Sequence, residues 1–262
     1  MYIFVRDRTT LNMSQLQPLQ TLRTDSSAMD GISVLTARLD KLNPLSPGAT
    51  AALRVMPWHL VDLGSSRSAR AFDGLRDRVM VVLSGVLFHH AIVRSGARQV
   101  LCLHLPGEIV GVDCPGMGAA AIGAHGPTKV AVFEPTVWRE IVAAQSSIRT
   151  AVEQEMQVNL AISRAWLTNN CRREAATCVA HLLCEVAYRI GGAALPRLTQ
   201  EFLSDCVGLT SVHTNRVLRR LEAMECLRRD GDRYHIVDEQ RLREFGEFDP
   251  AYLTPVVLQV PA

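Results

Sequence analysis

Between residues 60 and 134 the chain alternates short apolar runs with turn dipeptides. VMVVL (79–83) meets Ser84-Gly85, VLFHHAIV (86–93) meets Ser95-Gly96, and RQVLCLHL (98–105) meets Pro106-Gly107. Runs of this length with such breaks predict antiparallel hairpins. GMGAAAIGAHG (116–126) predicts a loop or a loose helical turn, and TKVAVFE (128–134) a further strand. Ahead of this block, residues 1–30 are polar and aperiodic and read as a loose extension. A short helix is expected from Val34 to Leu42, and a second after Ser46-Pro47-Gly48, where Pro and Gly punctuate the chain.

Beyond residue 135 the period lengthens. Thr136 to Leu167 contains neither Pro nor Gly, and its apolar residues recur at helical spacing. Projected on a helix, Ile148, Val152, Met156, Leu160, Ile162, Trp166 and Leu167 share one broad arc, interrupted by Glu155 and Asn159. A single rod of roughly 48 Å is predicted, either a dimer seam with a parallel partner or a long buried core helix. A second helix, Arg172 to Ile190, should stop at Gly191-Gly192.

The segment from Leu198 onward carries the chemistry. Thr199 suits a helix N-cap, Glu201 suits the first turn, and Gly208 suits a tight reversal. Thr210 or Ser211 then caps a helix from Val212 to about Glu225. Two crossed helices around so short a turn make a helix-turn-helix. On the second helix Thr214, Val217, Leu218, Leu221 and Met224 cluster toward a core, while Val212, Asn215, Arg216 and Arg219 point away, bordered by Ser211 and Glu222. Arginine can bond guanine bidentately and asparagine adenine, so this face has the chemistry of base reading. Arg228 and Arg229, then Asp230-Gly231-Asp232 and RYHIV, predict a small β-hairpin beside the pair, its cations placed for backbone phosphate.

Composition narrows the picture less than pattern does. The 262 residues are 48% hydrophobic, with 17 Gly and 12 Pro, which excludes a disordered or collagen-like chain. The formal charge is +2, and residues 196–246 hold nine Arg against nine acids, yet Ser211 to Leu221 has three Arg and no acid. The cationic character is therefore local. Seven Cys without a CxxC pair give neither a disulfide framework nor a metal-ligand spacing, so no metal is expected. The four apolar residues before Arg6 are too short for a signal-peptide core, and no run approaches the ~18 residues of a membrane span; a cytoplasmic protein is expected. No P-loop, GxSxG or HExxH occurs, so no enzyme is expected.

LSGVLFHHAIVRSGARQVLCLHLPGEIVG (83–111), RREAATCVAHLLCEVAYRI (172–190), LTQEFLSDCVGLTSVHTNRVLRRLE (198–222) and FDPAYL (248–253) resemble the cyclic-AMP receptor / fumarate-nitrate regulator (CRP/FNR) superfamily of bacterial transcription factors. The resemblance covers about residues 32–253. It implies an α+β fold: an extension over 1–30, an antiparallel β-roll over 31–135, a dimerisation helix over 136–169, a winged helix-turn-helix over 170–250 and a tail over 251–262. It further implies a homodimer on a palindromic promoter site in double-stranded DNA, with RNA polymerase as a partner. Val212, Asn215, Arg216 and Arg219 then read bases; Thr199, Gln200 and Ser211 meet phosphate; and Ile148, Val152, Met156, Leu160 and Trp166 line the dimer helix. Val212 departs from the Glu frequent there in the family, and Thr214 from the usual Val or Ile.

The resemblance also frames the signal. Members that bind cyclic nucleotide use a Gly-Glu pair followed by Arg-Ser or Arg-Thr. Gly107-Glu108 is present, but no Arg lies between Arg98 and Arg139, and Lys129 cannot make the bidentate phosphate contact. The iron–sulfur branch uses N-terminal cysteines, whereas the first here is Cys102. His89, His90, Cys102 and His104 on adjoining strands raise haem as a cofactor, although strand histidines are more often structural. The expected state is cofactor-free, with haem and cyclic nucleotide as alternatives, and Cys178, standing where members commonly carry Arg, is the candidate redox handle. The competing functional reading is a ligand- or haem-sensing β-roll whose DNA binding is effector-gated or vestigial.

Overall fold

The computed structural model describes residues 30–64, 75, 78–111, 121–192 and 194–254. The expected extension over 1–30 lies, apart from Asp30, outside the described residues, as do residues 116–120 of the Gly-rich segment and all of the tail beyond 254.

Two helices, α1 (Gly31–Leu42) and α2 (Pro47–Arg54), come first. Asp30 and Ser46 cap them by accepting from Ile32 N and Ala49 N, and Pro47 opens α2 where its missing N–H costs nothing. The sheet follows: β1 (Trp58–Gly64), β2 (Val79–Ile92), β3 (Arg98–His104), β4 (Ile109–Val110) and β5 (Ala121–Phe133), in the order β1-β5-β2-β3 with β4 also on β2, every pairing antiparallel. Val79, Val81 and Leu83 pack with α1 and α2, while Met80 and Val82 pack with Val130 and Val132 on the opposite face. Both faces of β2 are buried, which is why the run reads as continuously apolar.

Two expectations are corrected here. Ser84-Gly85 is not a turn: residues 79–92 form one strand, and the pairing with β5 shifts register on either side of Ser84. Gly85 takes φ +82°, and a Cβ there would collide with Thr128 and the Pro127 carbonyl, so glycine permits a bulge that bends the strand rather than reversing it. Residues 121–126, expected in a loop, open β5 instead. Gly123 lies against the Phe88 ring, where no side chain would fit.

The single rod is also two helices. α3 (Pro135–Ala144) ends at Gln145, whose backbone is extended, and α4 (Ser146–Arg172) starts immediately after it. Ile148 and Val152 are buried in the chain's own core with Leu35 and Trp138, so they offer nothing to a partner. Glu155, one of the polar interruptions, is buried against Arg38 of α1, whose guanidinium bonds it at 2.7 Å and 2.9 Å; burial still holds its pKa above the usual carboxylate range.

α5 (Ala175–Ile190) ends on Gly191 in the left-handed conformation, as its sequence anticipates. α6 (Gln200–Val207), α7 (Ser211–Ala223), the hairpin β6 (Leu227–Asp230)–β7 (Arg233–Ile236), α8 (Glu239–Phe245) and a 3-10 turn (Pro250–Leu253) complete the chain. One apolar core runs from Phe88, Val100 and Leu103 of the sheet through Val158, Ile162 and Trp166 of α4 into Phe202, Leu218 and Leu221. The last turn is tied down as well, since Tyr252 donates to Glu185 at 2.6 Å. No helix among the described residues is long and apolar enough to cross a membrane.

Candidate nucleic-acid interface

The helix pair forms where its caps predict. Thr199 Oγ1 accepts from Phe202 N, Gly208 closes α6 at φ +69°, and Thr210 Oγ1 accepts from His213 N to start α7. Inward from α7, Val217, Leu218 and Leu221 are buried. Outward stand Val212, 73% exposed, with Arg216 and Arg219 exposed and Asn215 half-buried. Asn215 shares a concavity of about 500 Å³ with Thr199, Gln200 and the wing residues Arg229 and Tyr234. One base-reading candidate, Asn215, thus meets the phosphate candidates Thr199 and Gln200 across one groove, whereas Val212, Arg216, Arg219 and Ser211 lie outside its lining. Arg197, which sequence reasoning passed over, lines the same concavity and pairs with Asp232 at 2.7 Å. Its signal was visible, a lone cation two residues before the N-cap, where phosphate contacts concentrate.

Thr214 is completely buried in the helix pair and its hydroxyl has no hydrogen-bond partner. An unpaired buried hydroxyl carries a desolvation cost, so Thr214→Val, which keeps the shape and removes the polar atom, should stabilise the domain by about 1 kcal/mol. Thermal or urea unfolding measures this, and a fall in stability would show the hydroxyl to be satisfied.

The groove does not stand apart from the sheet. His125 of β5 stacks on Phe202 with ring centroids 3.9 Å apart and lies 3.4 Å from the Thr199 amide, which donates to it. Arg98 donates to Asp205 at 2.7 Å and Gln99 to the Cys206 carbonyl at 3.2 Å. Thr199 N–H, a predicted phosphate contact, is therefore engaged by the β-roll in this arrangement. Ser211 is exposed, its hydroxyl 3.4 Å from that of Ser204.

In the β-roll Glu108 is buried and spent internally. Arg189 bonds its two carboxylate oxygens at 2.9 Å and 2.7 Å, and Glu108 accepts from Leu105 N. Burial alone would raise the Glu108 pKa, but Arg189 holds it below the usual carboxylate range. Arg189 also bonds Glu185 at 2.7 Å, and Glu185 accepts from Trp166 Nε1. Trp166, only 5% exposed, is thus committed to the chain's own interior. Along α4, Met156, Leu160 and Leu167 remain exposed, at 40%, 50% and 66%. The predicted dimer arc is consequently divided between an inward and an outward face.

Cys178 does not have the setting of a redox handle. It is buried, its thiol lies 3.4 Å from Asn170 Oδ1, and burial pushes it up to about 11, so it stays protonated near neutral pH. Among the described cysteines it is Cys171 that is exposed. Of the four residues raised for haem, His89, Cys102 and His104 converge, whereas His90 falls past a register shift that separates it from them.

Residues 179–245 match the model of the Crp-like helix-turn-helix domain. Among solved structures, FixK2 from Bradyrhizobium japonicum is similar at 20% identity and a TM-score of 0.61, covering 73% of this chain and 97% of its own. A CooA mutant from Carboxydothermus hydrogenoformans is similar at 17% identity and a TM-score of 0.57, covering 87% and 99%. A CRP/FNR-family transcriptional regulator from Thermus thermophilus is similar at 16% identity and a TM-score of 0.54, covering 72% and 98%. None of the curated proteins compared with the chain matches it. The chain carries a Crp-like helix-turn-helix domain set within the fold of the CRP/FNR transcriptional regulators.

Proposed function

We propose that this protein is a dimeric, sequence-specific regulator of transcription that places two copies of α7 in successive major grooves of a palindromic promoter site. The observation that carries this reading is the outward face of α7, with Val212, Arg216 and Arg219 exposed and Asn215 opening onto a groove shared with Thr199, Gln200 and Arg229. Arg and Asn supply the bidentate donors that base edges require, and Val212 supplies an apolar contact suited to a thymine methyl. Thr199, Gln200 and Ser211 then serve the phosphates, which set register rather than sequence. The regulator acts in the cytoplasm with RNA polymerase as its partner, a role inferred from the fold. Selection of bound duplexes from a random pool tests the reading: an inverted repeat should emerge, and recovery of unrelated sequences would overturn it.

Met156, Leu160 and Leu167 follow one another at spacings of four and seven, the pattern of a coiled-coil seam, and their exposure supports a parallel contact between two copies of α4. Leu160→Glu should convert the dimer to a monomer in light scattering while leaving the helical circular dichroism intact. An unchanged dimer would remove α4 from the interface.

Cyclic nucleotide is not the signal on this reading, because Glu108 is held by Arg189 inside the protein and no arginine follows it in the roll. The contacts of His125 and Arg98 with α6 favour gating: movement of the β-roll would release the Thr199 amide and reposition the reading helix.

A further inference from the structure

We propose that His89, Cys102 and His104 form a three-ligand site for one Zn²⁺ ion, facing the cleft between β3 and α4. The three side chains come from two strands. Cys102 pairs directly with His89 across the β2–β3 ladder, and His104 lies two residues along on the same face. Their donor atoms close a triangle: His89 Nδ1 lies 3.0 Å from His104 Nε2, while Cys102 Sγ lies 3.3 Å from His89 Nδ1 and 3.5 Å from His104 Nε2.

Those separations approach what a tetrahedral zinc imposes, the nitrogen pair lying about 0.3 Å closer than the ion would hold it. Bond lengths of about 2.0 Å to imidazole and about 2.3 Å to thiolate put neighbouring donors about 3.3 Å (N to N) and about 3.5 Å (N to S) apart. Hydrogen bonds serve such a triangle poorly. Each ring nitrogen offers either one N–H or one in-plane lone pair, so three mutual contacts force one proton or one lone pair to be shared. A cation at the centre uses all three lone pairs at once. Two imidazoles with one thiolate are also the borderline-soft donor set that zinc takes.

The surroundings fit a site that stays open at its fourth position. His89 and His104 are buried and Cys102 is half-buried, and all three line a cleft of about 1140 Å³ that also touches Gln99, Met156 and Leu160. Solvent in that cleft can complete the tetrahedron. Binding converts the Cys102 thiol to a thiolate and passes its proton to bulk water, so affinity should rise with pH. The ion would fasten β2 to β3 next to Arg98 and Gln99, the two β3 residues that hold α6. Uptake of metal by the free protein does not depend on the DNA-binding reading and can fail or succeed without it.

The test uses the full chain, purified, reduced and stripped by a chelator, and titrated with Zn²⁺ alone and with Co²⁺ as a spectroscopic stand-in. One equivalent of Zn²⁺ should bind and raise the melting temperature, and Co²⁺ should give thiolate-to-metal charge-transfer and tetrahedral ligand-field bands. Cys102→Ser should abolish the charge-transfer band, and His104→Gln should weaken binding at least tenfold. His90→Gln, one residue outside the triangle, should bind like the parent. Circular dichroism of each metal-free variant separates loss of a ligand from loss of fold. The proposal is overturned if the parent takes up no stoichiometric metal, or if folded Cys102→Ser and His104→Gln bind as the parent does.

Discussion

Replacing Arg189 with methionine should cost about 3–5 kcal/mol and, in a chain of ordinary stability, lower the unfolding midpoint sharply. Arg189 sits at the centre of a buried network, bonding Glu108 of the roll, Glu185 of its own helix and the Leu103 carbonyl of β3. Glu185 in turn accepts from Trp166 of α4 and Tyr252 of the closing turn. Removing the cation strands two carboxylates away from water, which is the costly way to break a buried pair. The same network gives acid sensitivity. The Glu108 pKa is depressed in the folded state, so its contribution is present above the unfolded value near 4.5 and is lost as pH falls through the lower folded one. Urea unfolding of parent and Arg189→Met at neutral pH measures the loss. A change under 1 kcal/mol would show that the network is not a strut between the two halves.

The other large effect concerns specificity. Arg216→Ala should cut discrimination between a selected palindrome and random DNA by about 2–6 kcal/mol in the dimer while leaving the fold intact, because Arg216 is exposed. One bidentate arginine–guanine contact is worth about 1–3 kcal/mol of discrimination, and a two-fold dimer makes it twice. Affinity for random duplex should change far less, because that binding rests on phosphate contacts spread over several cations. With a near-neutral domain, non-specific affinity should be modest throughout. Fluorescence anisotropy with the two duplexes at fixed salt gives both numbers. If discrimination is unchanged, Arg216 does not read bases, and Val212, Asn215 and Arg219 carry the readout without it.

What was legible in the chain, and what was not, divides by range. The caps at Thr199 and Thr210 and the stops at Gly191 and Gly208 are local chemistry, each decided within four residues, and each stands where expected. The outward face of α7 follows from helical period alone. Gly85 misled because a Ser-Gly pair serves a bulge as readily as a turn, and only the partner strand decides which. Gln145 carries no break signal, since neither Pro nor Gly marks it; the change of direction comes from packing of α3 and α4 on the sheet. Trp166 looked like a seam residue because periodicity reports an apolar stripe and not its partner, here Glu185. The His89–Cys102–His104 triangle required the strand register, which places Cys102 opposite His89 and leaves His90 beyond the shift.

Hydroxyl-radical footprinting of the parent protein on its selected duplex bears on whether the chain reads DNA as a two-fold dimer. Two protected patches should appear, centred about 34 Å apart on one face of the helix and related by the dyad of the inverted repeat. Protection of a single patch, or none above that on random DNA, would contradict it.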